Sequence, residues 1–143
     1  SLIQTKTTSL SYTRYFLAAT TIGDYALFGG GTSANNTNGR RSTVDAYDRS
    51  LTRTIPTALN AVRGHLAATT VGDYALFGGG GIYDSSNSNA MVDAYNKSLT
   101  RTIPTELSVA RSHLAATTVG DYALFGGGTG SGLASAVDAY TVA

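Results

Sequence analysis

The sequence predicts an all-β fold built from three copies of one four-stranded unit, and three observations carry that prediction. LAATTVGDYALFGGG stands at residues 66–80 and again at 114–128, and residues 17–31 repeat it with Ile22 in place of valine. Glycine (17) and tyrosine (9) are plentiful, proline is scarce (2), and cysteine and tryptophan are absent, a turn-rich strand composition with no disulfide to staple it. No segment carries apolar residues at a sustained helical spacing.

Each unit reads in the same order. LAATTV is a β-strand, and Gly72-Asp73 supplies a tight hairpin turn. YALFGGG follows, apolar on both faces, as a strand packed between two layers must be. A polar loop of varying length leads to VDAY, the third strand; NKS then turns into LTRTIPTEL, the fourth, which ends at SVARSH before the next copy. The repeats are residues 17–65, 66–113 and 114–143, within a single domain of 143 residues, and residues 1–16 form a closing strand ahead of them. Four strands in a period of about 48 residues is the arithmetic of propeller blades. Residues 50–80 and 98–128 differ only at 58, 60, 61, 62 and 64 of the first stretch, which points to recent duplication or to design.

The hydrophobic strand ending in glycines (VGDYALFGGG), the later tyrosine (VDAY), P-x-x-L and AR-x-H together resemble the kelch motif, over essentially the whole chain. The resemblance implies a β-propeller, and a tryptophan in the fourth strand packed on the tyrosine. Here Arg53 and Arg101, among threonines, hold that neighbourhood. The family includes oxidases and sugar-processing enzymes, but their catalytic tyrosine, cysteine and histidine sets find no counterpart in this sequence.

The head of the chain, SLIQTKTTSLSYTRYF, aligns with SLTRTIPTELSVARSH at 98–113: Ser1 on Ser98, Leu10 on Leu107, Arg14 on Arg111. The sequence therefore opens on a fourth strand and stops just after a third. Closed propellers hold about 4–8 blades, so three blades make half of a six-bladed ring. The expected assembly is a homodimer in which residues 2–10 of each chain supply the missing fourth strand beside 137–140 of the other, leaving no bare sheet edge. The end faces that closure covers are expected to carry Leu17, Leu27, Leu124 and Phe125.

Composition removes several functions. Charged residues are 13% and the formal net charge is +1, too little for the basic surface that displaces counterions from nucleic acid. No apolar run approaches the roughly 18 residues a membrane-spanning helix needs. The triple glycines match neither phosphate-binding pattern, and instead let backbones approach closely at the strand end. Asp45, Asp93 and Asp138 lie in apolar strands and demand partners, for which Arg14, Arg63 and Arg111 are placed. His65 and His113 are equivalent, and the first repeat has Phe16 there. A phenylalanine neither ligates metal nor shuttles protons, so neither a metal nor a cofactor is expected. HExxH and GxSxG are missing, and the chain reads as a non-enzyme.

What breaks the repeat is free to serve a site. The loops at 32–43, 81–91 and 129–136 differ in length and chemistry on a nearly invariant frame, and a propeller gathers them on one face. The sequence reads as a recognition or scaffold module for a protein surface or a glycan. Its expected contact residues are Arg40, Arg41, Tyr83 and Asp84, with Arg63, His65, Arg111 and His113 beside them. The alternatives are a carbohydrate-active enzyme fragment with its site near the ring axis, and a designed or excised repeat protein with no ligand.

Overall fold

A computed structural model describes residues 1–33, 39–82 and 88–143. The first repeat forms β1 (Ala18–Ile22), β2 (Tyr25–Gly29), β3 (Val44–Tyr47) and β4 (Arg53–Thr54), hydrogen-bonded in that order as one antiparallel sheet. The second repeats the arrangement with β5 (Ala67–Val71), β6 (Tyr74–Gly78), β7 (Val92–Tyr95) and β8 (Arg101–Thr102). In the third, β9 (Ala115–Val119), β10 (Tyr122–Gly126) and β11 (Val137–Tyr140) make a three-stranded sheet. The chain is a three-bladed arc of a β-propeller.

Local chemistry explains each element. The β1–β2 hairpin turns on two residues, Gly23 and Asp24, between the paired Ile22 and Tyr25. Gly23 sits at φ 53, and its equivalents Gly72 and Gly120 at 54 and 53, the positive angle a tight hairpin requires at its first central residue. The fourth strands are only two residues long, much shorter than LTRTIPTEL. Pro56 and Pro104 follow closely and have no N–H to continue a ladder.

Residues 1–14 form no strand. Residues 8–14 instead lie on the first blade as its connector: the Tyr47 hydroxyl donates to the Thr8 carbonyl (2.9 Å) and Arg53 Nη1 to that of Ser9 (2.6 Å). Tyr95 and Tyr140 bind Thr57 and Thr105 in the same way (2.7 and 2.8 Å). Each of these tyrosines meets the phenylalanine of its second strand edge-on, at 5.8–5.9 Å between ring centres. That contact takes the place of the tryptophan–tyrosine packing the motif implies, and the arginine at the tryptophan's position holds the connector.

The core lies between blades. At the first junction Ile22, Leu27, Val44 and Ala46 of one blade meet Leu66, Ala75, Phe77 and Tyr95 of the next, with Leu59 from the connector. The second junction repeats this with Val71, Leu76, Val92 and Ala94 against Leu114, Ala123 and Phe125. Glycine sets the spacing: a Cβ on Gly29 would stand 2.8 Å from the Phe77 ring, and one on Gly78 would stand 2.8 Å from that of Phe125. Strand alternation also corrects the expected end faces. Leu27 and Phe125 are fully buried at internal junctions. The uncovered faces carry Leu17, Ala26 and Phe28 on the first blade, and Val119, Leu124, Val137 and Ala139 on the third. The expected set mixed residues from both sides of a strand.

The innermost strands β1, β5 and β9 lie side by side. Their threonines knit them together: Thr20 and Thr70 hydroxyls are 2.6 Å apart, Thr69 and Thr118 2.7 Å, and Thr118 Oγ1 donates to the Thr70 carbonyl at 2.8 Å. Behind them sit the ion pairs the sequence demanded, Arg14–Asp45 (2.6 Å) and Arg63–Asp93 (2.7 Å) fully buried and Arg111–Asp138 (2.9 Å) with its carboxylate partly exposed. Each arginine comes from the connector ahead of a blade and clamps that blade's second and third strands, since Arg63 Nη2 and Arg111 Nη2 also donate to the Phe77 and Phe125 carbonyls.

Candidate functional site

The face carrying the variable loops is built on a brace of two bridges that every repeat forms. Tyr15 bridges Thr32, which bridges Arg40; Gly64, Gly81 and Ser88 make the second brace, and Ser112, Thr129 and Leu133 the third. The hydrogen bonds match rung for rung: Tyr15 and Thr32 exchange N–H···O bonds of 3.0 and 2.9 Å, Gly64 and Gly81 of 3.1 and 2.8 Å, Ser112 and Thr129 of 2.8 Å each. The loops thus spring from equivalent, backbone-fixed roots, a rigid base for variable chemistry.

Just inside the braces, the rings of Phe16, His65 and His113 form a column, the two histidines stacked and Phe16 tilted against His65. Phe16 and His65 ring centres are 3.7 Å apart, as are those of His65 and His113. The backbone ties the same three residues, with the His65 N–H donating to the Phe16 carbonyl and that of His113 to the His65 carbonyl, both at 2.9 Å. All three adopt left-handed φ angles of 58–59°, uncommon for bulky side chains. That kink turns the chain from the buried arginine into the inner strand and brings the ring to the face. Tyr15 extends the column, its ring 4.4 Å from that of Phe16.

Arginine flanks the aromatic run. Arg41 lies 4.0 Å over the Tyr12 ring, a cation–π contact, and its Nε donates to Ser33 Oγ at 2.9 Å. The Arg40 guanidinium is seated over Gly64, where any Cβ would collide with it. Burial first, then His113 and Arg40, push the His65 imidazole down to about 4. The Ser112 hydroxyl and His113 Nδ1 are 3.0 Å apart. Beside the third loop, Val109, Leu133 and residues 130–136 line a concavity of about 440 Å3.

The sequence-predicted residues divide by this geometry. Arg40, Arg41, His65 and His113 come together on the face. Arg63 and Arg111 lie beneath it with no exposure, each bound to its aspartate, and hold the frame. Tyr83 and Asp84 fall outside the described residues. Tyr12, Tyr15 and Phe16, exposed by about two-fifths to a half, are members the sequence reading missed. Tyr12 and Tyr15 stand where the other repeats have Ala61 and Val109, Gly64 and Ser112, so the rule that repeat-breaking residues serve the site would have found them. Among the described residues no three His, Cys, Asp or Glu side chains gather into a group able to hold a metal ion.

The depressed His65 value has a definite pH consequence. Below about 6.5 an unfolded chain protonates this imidazole and the folded chain does not. Stability is therefore full above 6.5 and falls as pH is lowered from about 6.5 to about 4. We expect the His65 ring resonance to titrate near 4 by NMR, and His65→Phe, the residue of the first repeat, to flatten the stability slope across that window. Titration of His65 near 6.5 would contradict the packing described.

Fold and face together define an arc of a β-propeller whose variable loops and axial rings share one side. Among solved structures the chain is similar to YjhT, a kelch-type propeller protein, with a TM-score of 0.80 at 16% sequence identity. The match takes in 94% of this chain and 44% of that one, so this chain spans less than half its length. Identity this low speaks for the fold alone. No family model and no curated protein matches the sequence.

Proposed function

We propose that the chain is a kelch-type recognition module, non-catalytic, whose working face is the run from Tyr12 and Arg41 through Tyr15 and Phe16 to Arg40, His65 and His113. The observation that carries this reading is the set of exposed rings of Tyr12, Tyr15 and Phe16 beside the half-buried Arg40 and Arg41 on a braced backbone. Flat apolar rings with cations beside them suit a ligand that offers planar or CH-rich faces next to acidic or hydroxyl groups, whether a protein surface or a glycan. The histidines meet rings, a serine hydroxyl and an arginine, which supports binding over acid–base chemistry. In this reading neither nucleic acid nor membrane is a partner.

A glycan array and a panel of acidic and aromatic peptides, probed with the purified protein, supply the test. Replacing Arg40 and Arg41 together by alanine is expected to weaken binding about a hundredfold or more, since each charged hydrogen bond is worth roughly 1.5–3 kcal/mol and two are lost. Phe16→Ala is expected to weaken it as well, with circular dichroism unchanged for both. Undiminished binding by both variants would move the site off this face.

A further inference from the structure

We propose that the uncovered face of the third blade is a docking surface for the first blade of a second copy of this chain, with Phe28 of that copy seated over Gly126 and its Leu2 in the groove beside Tyr140. The internal junctions show what the surface is shaped to take. Phe77 lies over Gly29 and Phe125 over Gly78, while Leu66 packs against Gly30 and Leu114 against Gly79, each leucine 2.9 Å from where a Cβ would stand. On the third blade the same socket is open: a Cβ on Gly126 would meet only Val137 Cγ2, at 3.4 Å, and one on Gly127 nothing nearer than 4.0 Å. The ring that fits it belongs to the first blade, where Phe28 stays half-buried although its equivalents Phe77 and Phe125 are completely covered. Val119 is 60% exposed on the socket side, against 6% for Val71 and 2% for Ile22 at the occupied junctions.

A groove gives independent support. Val71, Leu76, Ala94, Pro104 and Tyr140 line a cavity of about 320 Å3 at the outer edge of the second junction. At the first junction Leu99 packs against the matching core residues. The equivalent of Leu99 next in the ring order is Leu2, which is fully exposed. With Leu2 in the groove, Gln4 and Thr5 of the second copy fall opposite Tyr140 and Ala139, the register Arg53 and Thr54 hold against Tyr47 and Ala46. Residues 1–6 are then the donated strand. Residues 8–14 stay on their own first blade, which shortens the expected 2–10 pairing.

The repeated contacts continue across the new junction. The next rung of the backbone series joins the Phe16 N–H of the second copy to the His113 carbonyl, and the next threonine contact joins Thr117 to Thr21. Two copies give six blades, within the range of about 4–8 that closes, and three would give nine. Closure makes the working face a shared one, because His113 of each chain then stacks on Phe16 of the other. The proposal rests on the propeller reading of the fold and deepens the proposed function by making its face a two-chain site.

Sedimentation equilibrium of the full chain at micromolar concentration tests it, alongside Leu2→Asp and Gly126→Ala. Leu2 touches nothing within the chain and a Cβ at Gly126 is tolerated there, so both variants should keep the wild-type circular dichroism. The expected result is a wild type of twice the chain mass and both variants reduced to the chain mass. A folded wild-type monomer, an open-ended larger species, or a dimer that survives both substitutions would overturn the proposal. A monomer that still binds ligand through Arg40 and Arg41 would overturn it while leaving the recognition reading in place.

Discussion

Arg63→Ala is expected to cost about 3–5 kcal/mol of folding stability, because it strands a buried charge. Asp93 and Arg63 are both completely buried, with Arg63 Nη2 2.7 Å from the carboxylate. The remaining support of Asp93 is the Asn60 N–H at 3.0 Å and a distant Arg101 Nε at 3.8 Å, neither able to replace the lost cation. Burial disfavours the charge on Arg63 and Asp93 restores it, so the pair stands or falls together. The double variant Arg63→Met with Asp93→Leu should therefore cost much less than the two single changes added, since replacing a whole buried pair by apolar residues is often close to neutral. Arg111→Ala should cost less than Arg63→Ala, because the Asp138 side chain keeps 18% exposure and can be rehydrated. Guanidinium unfolding of Arg63→Ala, Arg111→Ala, the double variant and its two single changes measures all of this. A loss below about 1 kcal/mol for Arg63→Ala, the worth of a surface pair, would show that water reaches Asp93.

The pairing of Arg63 with Asp93 is legible in the sequence, since an aspartate in an apolar strand needs a cation and the repeat supplies one at a constant offset. Blades and hairpins are legible for the same reason: three copies of a pattern remove the ambiguity one copy would leave. The extent of the fourth strand is not. LTRTIPTEL has strand composition, yet only Arg53–Thr54 and Arg101–Thr102 pair, because proline truncates the ladder. Which face each strand residue takes is also hidden, since YALFGGG is apolar throughout and its alternation carries no polar marker. Hence Leu27 and Phe125, expected on free faces, are buried in junctions. On the recognition face, the equivalence of Phe16, His65 and His113 is visible in the alignment of the repeats. Their stacking is not, because contact between residues about 48 positions apart depends on the angle between neighbouring blades.

The second large effect is expected at Phe77, where alanine should cost about 3–5 kcal/mol, the range for deleting a buried aromatic ring. The ring is wholly buried, sits against Gly29 and meets Tyr95 edge-on at 5.9 Å and 85°. Relaxation offers little relief there. The floor of the site is glycine backbone, which cannot extend to fill the void, and the neighbouring strands are fixed by the β2–β3 and β6–β7 ladders. Such a loss is a large share of the roughly 5–15 kcal/mol that holds a domain folded. Phe28→Ala removes the same ring from the same blade position one repeat earlier, where it is only half-buried and faces no blade of its own chain. The two variants should therefore differ in kind. The cost of Phe77→Ala is internal to the chain and independent of protein concentration. The cost of Phe28→Ala should be small for an isolated chain and should approach that of Phe77→Ala as concentration rises and a second copy covers the ring, because association is linked to stability by mass action. Thermal unfolding of both variants across a concentration series separates these cases. Parallel, concentration-independent losses would show that the first blade finishes its packing without a partner.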